Sequence, residues 1–152
     1  MIDLNKRLLN KKLWQHYQNT EFLFTQTLSS QLSFAIITAH NPKGQILTSC
    51  QNRLLDRQLQ LAIEKFNRPY RSVIGASQDR THMEKSWAVA IDKLAAAHLG
   101  MKFNQNAIYF VDNNQLALVP CLFSQDEQHQ EIIIGEFSPR VKLVSELPDF
   151  DY

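Results

Sequence analysis

The chain has 152 residues, of which 44% are hydrophobic and 20% charged. That is enough for one domain with a real core, because a compact fold of this size hides roughly 70% of the surface its extended chain exposes. These proportions exclude a disordered chain, a collagen and a disulfide scaffold. The net charge of +1 conceals ten Lys/Arg against four Asp/Glu in residues 1–76 and six against eleven in residues 77–152. A near-zero sum disfavours a uniform nucleic-acid coat, so nucleic acid is an unfavoured partner, though a local basic face around Arg53, Arg57, Lys65, Arg68 and Arg71 stays open.

In chain order, Asp3 is expected to cap a helix over about 3–18, with Leu4, Leu8, Leu9, Leu13 and Tyr17 as its apolar stripe and Lys6, Lys11 and Lys12 opposite. The stripe is short, so packing on the chain's own domain is preferred to a membrane surface. Glu21 to Thr27 reads as a strand. Ser33 to Ala39 is nearly all apolar, the composition of a strand covered on both faces. In Asn41-Pro42-Lys43-Gly44, Pro and Gly stand where a type I turn favours them. Thr48 followed by Gln51 matches a capping box and starts a helix near Ser49. Leu54, Leu55, Leu59, Ala62, Ile63 and Phe66 continue that helix until Asn67-Arg68-Pro69 stops it.

Tyr70 to Ala76 is the next strand, and Ser77 to Lys85 reads as a polar loop. Ser86 to Asp92 reads as a strand by the alternation of Trp87, Val89 and Ile91, although Trp87, Ile91 and Leu94 also fit a helix. A helix over Lys93 to Leu99 is closed by Gly100 at C′. Ala107 to Val111 and Leu116 to Leu122 form a hairpin through Asn113 and Asn114, which tolerate positive φ. An acidic loop from Ser124 to Gln130, a strand from Glu131 to Phe137 and an acidic tail complete the chain. The expected organisation is a single domain over 1–152, with a core at about 21–122, the N-terminal helix and a tail at about 138–152. Residues 33–112 run strand, helix, strand, strand, helix, strand. The expected class is therefore α+β, as a ferredoxin-like split βαβ sandwich with the N-terminal helix and additional strands; the alternative is another mixed-sheet α+β layout.

No run approaches the roughly 20 apolar residues that span a bilayer, and the N-terminus lacks the apolar core of a secretory signal, so the expectation is a cytoplasmic protein with no membrane contact. Cys50 and Cys121 form no C-x-x-C pair, and His16, His40, His82, His98 and His129 make no metal-ligand spacing, so neither metal nor cofactor is expected. No nucleophile elbow or phosphate-binding glycine motif occurs. Polar residues instead collect at element ends: Thr38 and Asn41, then Ser49, Asn52 and Arg53, then Glu84, Ser86 and Gln105. Such amides and hydroxyls recognise a ligand by shape and hydrogen-bond pattern, and a helix N-terminus with Arg53 suits an anion.

The residues F-A-I-I-T-A-H-N-P at 34–42, the helix start at Ser49 to Asn52, Glu84-x-Ser86, and Leu99-Gly100 followed by Phe103-x-Gln105-x-Ala107 carry a resemblance. Over about residues 33–120 the chain resembles a family of small bacterial proteins known only as a domain of unknown function. The resemblance implies no activity. Its recurring polar positions, Thr38, Asn41, Asn52, Glu84, Ser86 and Gln105, imply a shared site, and its frequent Trp at the position of His40 argues against proton transfer there. The expected function is a non-catalytic module that binds a small polar or anionic ligand or a protein partner. The alternative is a metal-independent enzyme acting on a phosphorylated or nucleoside-like substrate, with Glu84 as general base and Asn41 and Gln105 as orienting donors.

Overall fold

The structure, a computed structural model, describes residues 4–125 and 129–148. The expected cap Asp3 and residues 126–128 and 149–152 of the expected loop and tail lie outside the described residues. Among the described residues there are three α-helices, α1 (Leu4–Tyr17), α2 (Ser49–Glu64) and α3 (Lys93–Lys102). The strands are β1 (Glu21–Phe24), β2 (Phe34–Thr38), β3 (Tyr70–Ala76), β4 (Met83–Val89), β5 (Ala107–Asp112), β6 (Gln115–Pro120), β7 (Ile132–Glu136) and β8 (Val141–Leu143). They make one mixed sheet in the order β7-β6-β5-β2-β4-β3-β1-β8. Every neighbouring pair is antiparallel except β1 and β8, which run parallel. The protein is thus a mixed α+β fold.

Strand β2 is apolar on both faces because both are covered. Ala35 and Ile37 join Leu59 and Ile63 of α2 and Ala96 and Leu99 of α3 in one core. Phe34 and Ile36 turn the other way, into a second core with Phe22 and Phe24 of β1, Ala88, Val111 and Phe137. The period-2 alternation of a strand sends successive side chains to opposite faces, and β4 obeys it too. Trp87 and Val89 face the helices while Ala88 faces the second core.

Local signals account for the helix starts. Thr48 accepts from the Gln51 N–H at 3.2 Å while Gln51 Oε1 accepts from the Thr48 N–H at 3.0 Å, the capping box read from the sequence. Asp92 caps α3 by accepting from the Ala95 N–H at 2.8 Å. In the hairpin between β5 and β6, Asn113 and Asn114 take φ of 50° and 62°, as a tight hairpin turn requires.

Several local expectations are corrected. Strand β4 begins at Met83 inside the expected polar loop, because seven consecutive residues pair with β3, from Tyr70 opposite Val89 to Ala76 opposite Met83. Glu84 therefore lies on a strand. Strand β1 stops at Phe24, short of Thr27, and β6 stops at Pro120, after which the N–H groups of Cys121 and Phe123 both turn back to the Asn106 carbonyl. The Asn41 to Gly44 turn is not type I, since Lys43 sits at φ 59°, ψ 19° with its N–H donating to the Asn104 carbonyl at 2.7 Å. Within the expected tail, Val141–Leu143 is built into the sheet as β8 beside β1. Helix α1 docks through Leu13, Trp14 and Tyr17, whereas Leu4, Leu8 and Leu9 of its expected stripe are exposed.

Gly100 does not end α3 but lies within it. The reason is packing, since a Cβ there would stand 2.7 Å from Cys121 Sγ and 2.8 Å from Ile108 Cγ2. Gly100→Ala is expected to destabilise the fold by about 1–2 kcal/mol, overpacking exceeding the gain in helix propensity. Urea denaturation reads this, and an unchanged or raised midpoint would contradict the close packing of α3 on β5.

Candidate functional site

The expected polar residues divide into a converging group and two outliers. Where β2 ends, Asn41 adopts the left-handed conformation, φ 48° and ψ 59°. Its N–H donates to Asn52 Oδ1 at 2.9 Å, and Asn52 Nδ2 donates back to Asn41 Oδ1 at 3.0 Å. Asn41 Oδ1 also accepts from the Leu47 N–H at 3.1 Å. This reciprocal amide pair fastens the 41–47 loop to the first turns of α2. The Thr38 hydroxyl donates to the Lys85 carbonyl at 2.7 Å and accepts from the His40 N–H at 3.0 Å. Gln105 Nε2 lies 3.2 Å from the His40 carbonyl and 3.3 Å from that of Phe103, and donates to both. Ser86, buried, donates to the Glu84 carbonyl at 3.4 Å.

Thr38, Asn41, Asn52, Glu84, Ser86 and Gln105 are thus gathered at one end of the central strands, where most of them hold backbone. Ser49 and Arg53 do not join them. Ser49 is half-buried in the first turn of α2, and Arg53 is exposed, its guanidinium 3.9 Å from Cys50 Sγ.

Glu84 is the exception within the group. It sits half-buried on the same side of β4 as Ser86, and its Oε1 accepts a long bond from Asn41 Nδ2 at 3.5 Å. Burial pushes its carboxyl up to about 7, against the pull of the Asn41 amide. Sequence reasoning missed two side chains that share its surroundings, Tyr17 and Tyr109. The Tyr17 hydroxyl accepts from Asn106 Nδ2 at 3.2 Å. It is pushed up to about 12, chiefly by burial and further by the Glu84 charge, against the lowering effect of the Asn106 bond. The Tyr109 hydroxyl lies within hydrogen-bond distance of the Tyr17 carbonyl and of Thr20 Oγ1, at 2.5 Å and 2.8 Å. Burial raises Tyr109 as well, with Tyr17 and Glu84 adding to the effect. Strand alternation in β4 was the available signal that Glu84 and Ser86 share a face, but nothing local links them to residues 17 and 109.

On the opposite side of β4, Lys85 Nζ lies 3.2 Å from the centre of the Trp87 ring and 3.8 Å from Asp56 Oδ1. Trp87 Nε1–H donates to the same oxygen at 2.8 Å. Burial lowers the Lys85 ammonium to about 8, opposed by Asp56, and raises the Asp56 carboxyl. His40, 1% exposed, is lowered to about 4 by burial and by the Lys85 charge, so it is neutral at pH 7. The Lys85 and Trp87 contacts to Asp56 pin α2 to the sheet.

A cleft of about 420 Å³ opens at the other end of the same strands, lined among others by Ser33, Arg68, Asp92, Lys93, Phe110 and Asp112. Among the described residues, no three His, Cys, Asp or Glu side chains are grouped to hold a metal ion, and no helix is long and apolar enough to cross a membrane.

Fold and site together define a mixed α+β protein with a braced loop and one perturbed carboxyl at a common strand end. Residues 37–108 match the family described as protein of unknown function, DUF3293. The match falls within the stretch over which the sequence resembles a family of unknown function, and it includes Thr38, Asn41, Asn52, Glu84, Ser86 and Gln105. No curated protein and no solved structure matches the chain.

Proposed function

We propose that the protein is a non-catalytic binding module that takes a small polar ligand, a hydrogen-bond donor or a cation, at the Glu84 end of the sheet. One observation carries the reading. Glu84 holds a half-buried carboxyl whose Oε1 is engaged by Asn41 at 3.5 Å, while Oε2 has no hydrogen bond among the described residues. The surrounding amides and hydroxyls are bound within the protein, which pre-organises the loop and lowers the ordering cost of binding. An anionic ligand has less support, because Arg53 turns toward Cys50 and a carboxylate is what the site offers.

The pH dependence tests this directly. Because the folded carboxyl titrates near 7 instead of its ordinary 4.5, the fold favours the neutral form. Stability from this group is complete below pH 4.5 and is lost as pH rises through 7. After allowance for partial exposure the loss is about 1–2 kcal/mol. Glu84→Gln is expected to remove that slope. A cationic or donor ligand should bind more tightly above pH 7, where the carboxylate forms, and should lose that dependence in Glu84→Gln. A thermal-shift screen of amines, nucleosides and polyols at pH 8 reads the binding. Absence of any stabilising compound, or equal stabilisation of Glu84→Gln, would overturn the assignment.

A second reading, an enzyme acting on a phosphorylated or nucleoside-like substrate with Glu84 as general base, is favoured by the same carboxyl, since proton transfer is efficient near a matched pH. Turnover of such substrates by wild type and its loss in Glu84→Gln would decide for it.

Two finer statements belong to this proposal. The antiparallel order β5-β2-β4-β3, with α2 and α3 on one face, supports reading the central strands as a ferredoxin-like split βαβ unit. The exposed Cys50 thiol, which forms no disulfide, supports a reducing, cytoplasmic setting.

A further inference from the structure

We propose that the cleft at the start of β2 is a second binding site, for a small zwitterion of the α-amino-acid class. Its volume is about 420 Å³, as a shallow depression open to solvent that would hold a small ligand at the surface. Three adjacent strands build it: Ser33 stands where β2 begins, Ile91 and Asp92 follow the end of β4, and Asp112 closes β5. Arg68 enters from the segment before β3, and Lys93 from the first turn of α3. Phe110 adds an apolar surface.

The charged groups are each oriented by one contact. Arg68 Nε donates to the Ala90 carbonyl at 3.0 Å, which ties the guanidinium to the backbone just after β4. Lys93 Nζ lies 2.9 Å from Glu131 Oε2 and 5.7 Å from the centre of the Phe110 ring. Asp112 Oδ1 accepts from the Ser33 hydroxyl at 2.7 Å, and Asp92 Oδ1 from the Ala95 N–H at 2.8 Å. Each carboxylate keeps a second oxygen that makes no hydrogen bond among the described residues. Two cations and two carboxylates around one small volume select by opposition. A dianion meets two aspartates and a dication meets two basic groups, whereas a molecule carrying one charge of each sign satisfies both pairs. Because Lys93 already has Glu131, Arg68 is the main anchor for the ligand carboxylate, and Asp112 the main anchor for its ammonium. All four charged residues are exposed, so affinity is modest.

The test is an NMR titration of the full chain with glycine, serine and phenylalanine at millimolar concentrations, with their N-acetyl and methyl ester derivatives as singly charged controls. The expected result is saturable shifts at the amides of Ser33, Ile91, Lys93 and Asp112 for at least one zwitterion. Affinity should fall about tenfold in Arg68→Gln, in Asp112→Asn and in either derivative. Asp112→Asn keeps an acceptor for Ser33, so a folded variant is expected. Shifts that never saturate for all three amino acids, or N-acetyl derivatives that bind as well as the parents, would overturn the site. Glu84→Gln should leave this titration unchanged, which separates it from the reading of the other end.

Discussion

Phe22→Ala is expected to cost about 3–5 kcal/mol, a large part of the total stability of a domain this size. Phe22 is fully buried in β1, a short strand that joins β8 to β3. Its ring meets Tyr109 edge-on with centroids 5.0 Å apart, and Phe137 at 5.6 Å. Truncation removes the transfer energy of the ring and leaves a cavity that three neighbouring elements cannot close. It also takes away the wall against which Tyr109 is held near Tyr17 and Thr20. Chemical denaturation by tryptophan fluorescence and by circular dichroism should give coincident transitions shifted to lower denaturant. A loss under 1 kcal/mol would mean that the second core does not close over β1 as described.

The second large effect is expected at Asn52. This side chain is 3% exposed and both ends of its amide are engaged, the oxygen by the Asn41 N–H and the nitrogen by Asn41 Oδ1. Asn52→Ala leaves the Asn41 N–H without its acceptor in a residue already held at φ 48°. An unsatisfied, part-buried donor together with the lost amide pair gives an expected destabilisation of about 2–3 kcal/mol. Hydrogen exchange should show faster opening of the 41–47 loop than of β5 and β6. Equal protection of the loop in wild type and variant would show that the amide pair does not hold it. The result also bears on ligand screens, since a compound lost in Asn52→Ala reports loop order as much as contact, whereas Glu84→Gln changes only a charge.

How far the fold was legible follows from the range of the forces. The capping box at Thr48, the apolar run of β2 and the Asn113-Asn114 hairpin involve residues within a few positions of one another, and each reads correctly from local pattern. Met83 to Lys85 reads as a loop because its polar composition matches one, while its pairing with β3 is fixed only by register. Gly100 looked like a helix end because the packing of Cys121 and Ile108 against it is not written near residue 100. In the same way β8 is three ordinary residues made into a strand by the parallel edge of β1.

By itself the sequence determined the class, an α+β chain with two helices interleaved among strands, and a set of polar positions at element ends, Thr38, Asn41, Ser49, Asn52, Arg53, Glu84, Ser86 and Gln105, without separating the first-turn outliers Ser49 and Arg53 from the rest. Composition and periodicity act along the chain, so they are enough for that. Only the tertiary structure decided what those polar groups do. It closed Asn41 on Asn52, turned Arg53 away to solvent, and brought Tyr17 and Tyr109 around Glu84. Hydrogen-bond partnership and desolvation depend on neighbours in space, and the two tyrosines whose hydroxyls the Glu84 charge raises lie 67 positions before it and 25 after it in the chain.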